Sequence, residues 1–398
     1  MKIGVLTFHK SINNGAVMQC YSLTKRLQQE FPNDTVEVID YHMPKVEAVY
    51  TPSLRSYFAN ATLMVKFKRA AKLLMHPRTL IWQKERKQAF DHVADMLPLS
   101  ERSIFADDTA ELFRYINDTY DVVIAGSDAI WNYVTRGFPN PYFLDTSVKC
   151  HKLAYAASCY GMSYEKIPEA QRIRIGEILN DYRFLGVRDD ETKKFAAFVG
   201  AETPMEHTCD PTVFLDVDDL PIDVDGLIAK MKSKGFDFSK KTIGVMGSSR
   251  MCRMVRSLYG NSVQIVALYN YHKEADVNLY DLNPYEWAYV FRFFHATITT
   301  YFHGTHLSLR NGTPVVCVAL ETEYSKNHTT KVLDFLERVG LEKWYFHSDC
   351  QTTGVSEIKE QLDDFLENDL GEEIKFRMDR ESESFRTFLN ALRTIAKE

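Results

Sequence analysis

The sequence predicts an α/β protein built from two doubly wound halves, and three observations carry that prediction. The chain opens on a βαβ pattern: a buried strand at 2–8, a helix at 16–31 and a second strand at 35–40. After a stretch rich in Asp, Lys and Gly at 216–241, a strand–turn–helix–strand pattern starts afresh at 242. In between lie short continuous apolar runs alternating with helical periodicity, as expected for parallel strands covered on both faces. The expected division is a first half at 1–215, a connector at 216–241 and a second half at 242–350. Terminal helices at 351–398 are expected to pack back on the first half. Two such halves with facing carboxyl edges make one inter-domain cleft.

The bulk properties bound the function. A chain of 398 residues has room for two domains and a large core. Its formal net charge of −6 offers no global field to recruit nucleic acid, so any anion site must be built locally. The seven cysteines form no Cys-x-x-Cys pair and mostly sit in apolar runs. They read as reduced, buried thiols of a cytoplasmic protein. No stretch is long enough to span a bilayer, and the apolar start is too short for a signal peptide.

The first helix shows Val17, Cys20, Thr24, Leu27 and Phe31 near helical spacing. The loop before it lacks the glycine-rich dinucleotide fingerprint. Its Asn13-Asn14-Gly15 either forms a simple turn or presents an amide and N–H groups to a ligand. Residues 55–87 are strongly basic with interleaved apolar residues. They read as solvated helices, or as a surface resting on anionic lipid at the inner face of a membrane. The strand at 120–127 runs into Asp128, Trp131 and Asn132, where Asp128 either caps a turn or serves a cleft. Another strand ends near Ser158. A short strand at 184–188 ends in Arg188, whose planar fork suits a carboxylate or phosphate. In the second half, strands are expected at 263–269, 298–302 and 314–320, with a helix capped by Asn283. The stretch at 298–308 is the most informative. A buried strand hands over to a helix through His303-Gly304, placing a titratable ring beside backbone N–H groups.

Several pieces taken together resemble the polysaccharide pyruvyl transferase family. They are Lys2–Phe8 with Asn13-Asn14-Gly15-Ala16 and Gln19; Gly126-Ser127-Asp128 with Trp131-Asn132; and Tyr155-Ala156-Ala157-Ser158. Gly186-Val187-Arg188-Asp189 with Thr192, Asp210-Pro211-Thr212, Phe302-His303-Gly304-Thr305 and Gly312-Thr313-Pro314-Val315 complete the ordered set. The resemblance implies two Rossmann-like domains in a glycosyltransferase-B-like arrangement. It also implies transfer of a pyruvyl group from phosphoenolpyruvate to a sugar as a ketal, on a saccharide or lipid-linked saccharide acceptor. Many members carry an arginine two residues before the signature histidine; here that residue is Tyr301.

This chemistry distributes roles. His303 is the candidate general acid and Asp128 the candidate base for an acceptor hydroxyl. Arg188, Lys326, Tyr301 and the N–H groups of Gly304 and Thr305 are the donor-binding set. Asn14, Gly15, Ser127, Trp131, Asn132 and Ser158 are the acceptor-binding set. No cofactor or metal is demanded, since fixed cations can neutralise the donor and the spaced pair His303 and His306 lacks a third ligand. A nucleotide-sugar glycosyltransferase of the same fold and a non-catalytic glycan-binding protein are the competing readings.

Overall fold

The computed structural model describes residues 1–43, 78–105, 109–133, 137–319 and 328–397. Lys326 and most of the basic segment 55–87 lie outside the described residues. The first half contains β1 (Lys2–Leu6), α1 (Asn14–Glu30), β2 (Thr35–Val38), β3 (Tyr41–His42), α2 (Arg78–Gln88), β4 (Ile104–Phe105) and α3 (Ala110–Thr119). It continues with β5 (Val122–Ala125), β6 (His151–Ala157), α4 (Glu169–Asn180), β7 (Phe184–Val187), α5 (Asp190–Phe198) and β8 (Met205–His207). Six of these strands form one parallel sheet in the order β2-β1-β5-β6-β7-β8. The strand order reverses between β1 and β5, so the loops after those two strands diverge and leave a crevice at their carboxyl ends.

The second half repeats the plan. It runs through α6 (Val224–Ser233), β9 (Thr242–Met246), α7 (Ser249–Tyr259), β10 (Gln264–Leu268), β11 (Val277–Leu279), α8 (Pro284–Tyr289) and β12 (Ala296–Thr299). Then come α9 (Phe302–Arg310), β13 (Val315–Ala319), α10 (Lys331–Val339) and β14 (Tyr345–His347). Its parallel sheet has the order β11-β10-β9-β12-β13-β14, with the reversal between β9 and β12. The expectation from the sequence of an α/β fold with two parallel sheets holds. The strands β8 and β11 were not anticipated. Each has three residues at a sheet edge, too few to show a period.

Three helices close the chain: α11 (Val355–Glu367), α12 (Gly371–Ser382) and α13 (Phe385–Ile395). Ile358, Leu362 and Phe365 of α11, with Ile374 and Met378 of α12, join the core of the second sheet. α12 touches the first sheet at its edge, through Glu381 and His207 of β8, and α13 packs on it, with Phe385, Phe388, Leu389, Leu392 and Ile395 against Ile3, Val5, Val122 and Ile124. Burying each large side chain of this kind is worth about 1.5–3 kcal/mol. The last helix is therefore a structural part of the first half, and it ties the two ends of the chain together.

Candidate functional site

The expected strand before His303 is shorter than its apolar run. β12 ends at Thr299, and α9 begins at Phe302, so His303 and Gly304 lie in the helix's first turn. Tyr301 is extended, and its N–H donates to Thr299 Oγ1 at 2.9 Å. Gly304 is dictated by space: a Cβ there would lie 2.7 Å from Thr299 Oγ1 and 3.0 Å from Met246 Sδ. Gly15 is dictated by His303 itself, because a Cβ on it would lie 2.1 Å from His303 Nδ1. The start of α1, at the first sheet's reversal point, thus lies directly on the histidine at the second sheet's reversal point. Asn13 holds that start in place by accepting from the N–H groups of Gly15 and Ala16.

Arg188 sits at the end of β7 with 1% of its side chain exposed. Its Nη1 donates to Asp210 Oδ2 at 3.0 Å, and its Nη2 lies 3.8 Å from Asp128 Oδ1. His303 Nε2 faces the same Asp210 oxygen at 3.5 Å. Arg188 Nε and Nη2 and His303 Nε2 make no hydrogen bond. A buried guanidinium with unpaired donors is costly unless a ligand supplies acceptors.

A second cation joins this cluster. Thr330 caps α10 by accepting from the Leu333 N–H, and the next residue, Lys331, points inward. Its Nζ lies 4.8 Å from the Phe302 ring centroid, and Arg188 Cζ lies 4.8 Å from the same centroid. Among the described residues no carboxylate lies within ion-pair distance of Lys331. Burial, with help from Arg188, pushes its pKa down to about 8. Two turns along α10, Arg338 donates to the Arg188 carbonyl at 3.3 Å, fixing the helix against β7. Burial raises the Asp128 carboxyl, but Arg188, Lys331, His303 and the Ala129 N–H outweigh it and hold it below the usual range. Asp210 is likewise desolvated, and His303 and Arg188 hold it well below that range. Both acids are carboxylates at neutral pH. Asp128 also has φ 91°, a strained value for a non-glycine residue of the sort that gathers at functional turns.

The structure therefore brings together His303, Gly304, Gly15, Arg188 and Asp128, and it adds Asp210, Phe302 and Lys331. It withdraws others from ligand contact. Trp131 is fully buried and stacks on Phe143 at 5.8 Å, so it supports the core, not a sugar face. Asn132 is buried and donates to the Tyr160 carbonyl at 2.7 Å. Ser127 bonds Gln19, and its carbonyl accepts from Thr7. Ser158 is fully buried and donates to Asp189 Oδ2 at 2.6 Å. Thr305 N–H donates to the Tyr301 carbonyl at 3.0 Å and its hydroxyl contacts Cys317, so it has nothing left for a phosphate. Asn14 is buried at the start of α1, with Oδ1 unpartnered. His306 packs between Phe302 and Phe335, and burial holds its ring neutral.

Tyr301 stays in the open, 36% exposed, with its ring 5.3 Å from that of Tyr269. Arg86 of α2 covers Tyr269, its Cζ 3.4 Å from the ring centroid, and donates to the Tyr269 carbonyl. A cleft of about 560 Å³ opens beside Tyr301 at the carboxyl edge of the second sheet, lined also by Ser248, Arg250, Met251 and His347.

Comparison with known proteins decides the family. The model of the polysaccharide pyruvyl transferase family matches residues 13–322. The chain belongs to that family. The matched span holds Gly15, Asp128, Arg188, Asp210 and His303, whereas Lys331 lies beyond it. A search of curated proteins gave no match. Among solved structures, the chain is similar to UDP-GlcNAc 2-epimerase from Neisseria meningitidis bound to UDP-GlcNAc. The TM-score is 0.55 at 9% identity, covering 99% of this chain and 100% of that one. It is also similar to UDP-GlcNAc 2-epimerase from Methanocaldococcus jannaschii, with TM-score 0.50 at 10% identity over 93% of both chains. Sucrose-phosphate synthase from Thermosynechococcus elongatus gives TM-score 0.50 at 8% identity over 100% of both chains. At these identities the likeness concerns the fold, which is glycosyltransferase-B-like.

Sequence reasoning quoted Asp210 within a motif but gave it no role, and it missed Lys331. A lone lysine at the start of a helix carries no local signal; only the packing of α10 on β7 reveals it.

Proposed function

We propose that this pyruvyl transferase family member transfers the pyruvyl group of phosphoenolpyruvate to two hydroxyls of a saccharide, free or lipid-linked, in the cytoplasm. One observation carries the reading: the buried Arg188 fork with unpaired donors, beside Lys331, around His303. A donor with a carboxylate and a phosphate supplies the acceptors that this pair lacks.

The residues divide the reaction as follows. Arg188 grips the donor carboxylate, and Lys331 with the Gly304 N–H neutralises its phosphate. His303 gives a proton to the methylene carbon, which becomes a methyl group and leaves positive charge on the adjacent carbon. A first sugar hydroxyl adds there and loses its proton to Asp128. Phosphate then leaves, the second hydroxyl adds and its proton departs with phosphate, while the proton held by Asp128 passes back to His303. Two hydroxyl protons are released, one ending on the methyl group and one on phosphate. General acid–base help of this kind is worth roughly 100- to 10,000-fold.

The test is a mass-shift screen of saccharide acceptors with phosphoenolpyruvate. A ketal-bearing product with release of inorganic phosphate supports the reading. Turnover only with a nucleotide sugar, releasing nucleotide, refutes it. The cleft beside Tyr301 favours that second reading, since its volume of about 560 Å³ suits a nucleotide-sized ligand. The similar Neisseria meningitidis structure is bound to UDP-GlcNAc.

A further inference from the structure

Away from Arg188, the carboxyl ends of β1 and β2 gather a second buried cluster. His9, Asp40 and His42 are 2%, 3% and 5% exposed. His9 Nε2 and His42 Nε2 lie 2.9 Å and 3.0 Å from the same oxygen, Asp40 Oδ1. One ligand atom from each residue lies within 4.8 Å of the others. Metal–ligand bonds of about 2.0–2.2 Å place neighbouring ligand atoms roughly 2.9–3.5 Å apart, the spacing found here between each imidazole and the carboxylate.

The polar groups around the cluster fit the same reading. His9 Nδ1 faces the Thr7 carbonyl oxygen at 3.3 Å, and that oxygen can only accept. Nδ1 is thus the ring nitrogen held by the backbone, and Nε2 is the one that faces Asp40. His42 Nε2 lies 3.1 Å from the Lys10 ammonium, which can only donate. A cation thus already stands beside both His42 and Asp40. The Thr7 carbonyl is also the kind of outer partner that orients a metal-binding histidine.

We propose that His9, Asp40 and His42 form a site for a divalent first-row transition-metal ion, with the Lys10 ammonium occupying it when no ion is bound. Two imidazoles and a carboxylate with an open side suit zinc, manganese, iron or cobalt. Lys10 lies 3.0 Å from Asp40 Oδ1 with 28% of its side chain exposed, so it can swing into water as the ion enters. The site is separate from the donor cluster, and the proposal does not depend on which donor is used. An ion there would stiffen the loop at 7–13, which leads into the Gly15 contact with His303.

The test is titration of the chelator-stripped full chain with Zn²⁺ by calorimetry, and with Co²⁺ by visible absorption. One equivalent should bind, with ligand-field bands characteristic of nitrogen and oxygen ligation. His9→Gln and His42→Ala should weaken binding at least about tenfold, the range for loss of even a supporting partner. Lys10→Gln should tighten it by removing the competing ammonium. A purely structural hydrogen-bond network predicts no stoichiometric ion in any of these proteins. Absence of one-equivalent binding, or binding indifferent to the histidine variants, overturns the site. Should the histidine variants fail to fold by circular dichroism, Lys10→Gln decides: unchanged or weaker binding there also overturns it.

Discussion

The turn after β5 and the turn after β12 stand at the reversal points of two similar sheets, and both look like cleft residues in the sequence. Folding separates them. In the first turn Ser127, Trp131 and Asn132 are all held inside the protein, as is neighbouring Ser158 at the end of β6. Only Asp128 reaches the cluster around Arg188. In the second turn His303 keeps Nε2 unbonded, and Phe302 lies under both Arg188 and Lys331. A polar residue at a sheet's carboxyl edge is therefore a poor guide until its internal partners are known. Where those partners are complete, the residue positions backbone; where they are missing, a ligand must complete them.

Substitutions at the two turns should separate these roles. The largest effect is expected from His303→Ala. The ring is 12% exposed, and its one ion-pair contact among the described residues is the 3.5 Å approach to Asp210, so the fold should survive its loss. Transfer should fall by about 100- to 10,000-fold at an unchanged melting temperature. Full activity in steady-state assays would remove the second turn from the chemistry and collapse the contrast.

Lys331→Met should come next, and it carries a pH signature. The folded-state pKa of about 8 lies below the ordinary lysine value of 10.5. Between those values the unfolded chain holds more protons, so stability contributed by this group rises with pH. At pH 7 the cost of burying the ammonium outweighs its attraction to Asp128, Asp189 and Asp210, and Met should raise the melting temperature there. Donor KM should rise by about 10- to 100-fold, the loss of one charge-assisted contact. In the wild type, KM should climb as pH passes 8, and in Lys331→Met that limb should vanish. A lower melting temperature together with unchanged KM would make Lys331 a structural residue.

Ser158→Ala should show the opposite pattern. It removes a buried hydrogen bond to a carboxylate at 2.6 Å, at a cost of about 1.5–3 kcal/mol by chemical denaturation. Its kcat should stay close to that of the wild type at temperatures where the variant is folded. A large loss of kcat without loss of stability would return Ser158 to the ligand-binding set.

The residues also show why the fold was more legible than the site. Strands such as β9 announce themselves by five consecutive buried residues, Thr242–Met246, and period and turn chemistry are local properties. The motif around His303 was visible because it carries glycine at 15 and at 304, where a Cβ would meet the side chains of His303, Thr299 and Met246. The boundary of α9 was misjudged because Tyr301 and Phe302 extend an apolar run that the hydrogen bond from Tyr301 to Thr299 interrupts. Trp131 and Ser158 were misjudged because their partners, Phe143 and Asp189, are remote in sequence. Lys331 and the His9–Asp40–His42 cluster depend wholly on tertiary packing. No spacing rule encodes either.

The smallest expected effect sharpens the comparison within the second turn itself. Tyr301 is 36% exposed, unlike its neighbour Phe302 at 5%. Burial, reinforced by Tyr269, raises the phenol's pKa, so near pH 7 it acts as a neutral hydrogen-bond donor and not as a counter-charge. It therefore cannot replace an arginine; it can add a hydrogen bond or a stacking face. Tyr301→Phe keeps the ring against Tyr269, and with it the link to Arg86, so stability should not move. The loss of one neutral hydrogen bond to a ligand is worth about 0.5–1.5 kcal/mol, which limits the rise in substrate KM to roughly tenfold, with kcat preserved. A collapse in kcat would put the phenol on the reacting atoms. An unchanged KM would leave Tyr301 a packing residue and place all donor recognition on Arg188 and Lys331.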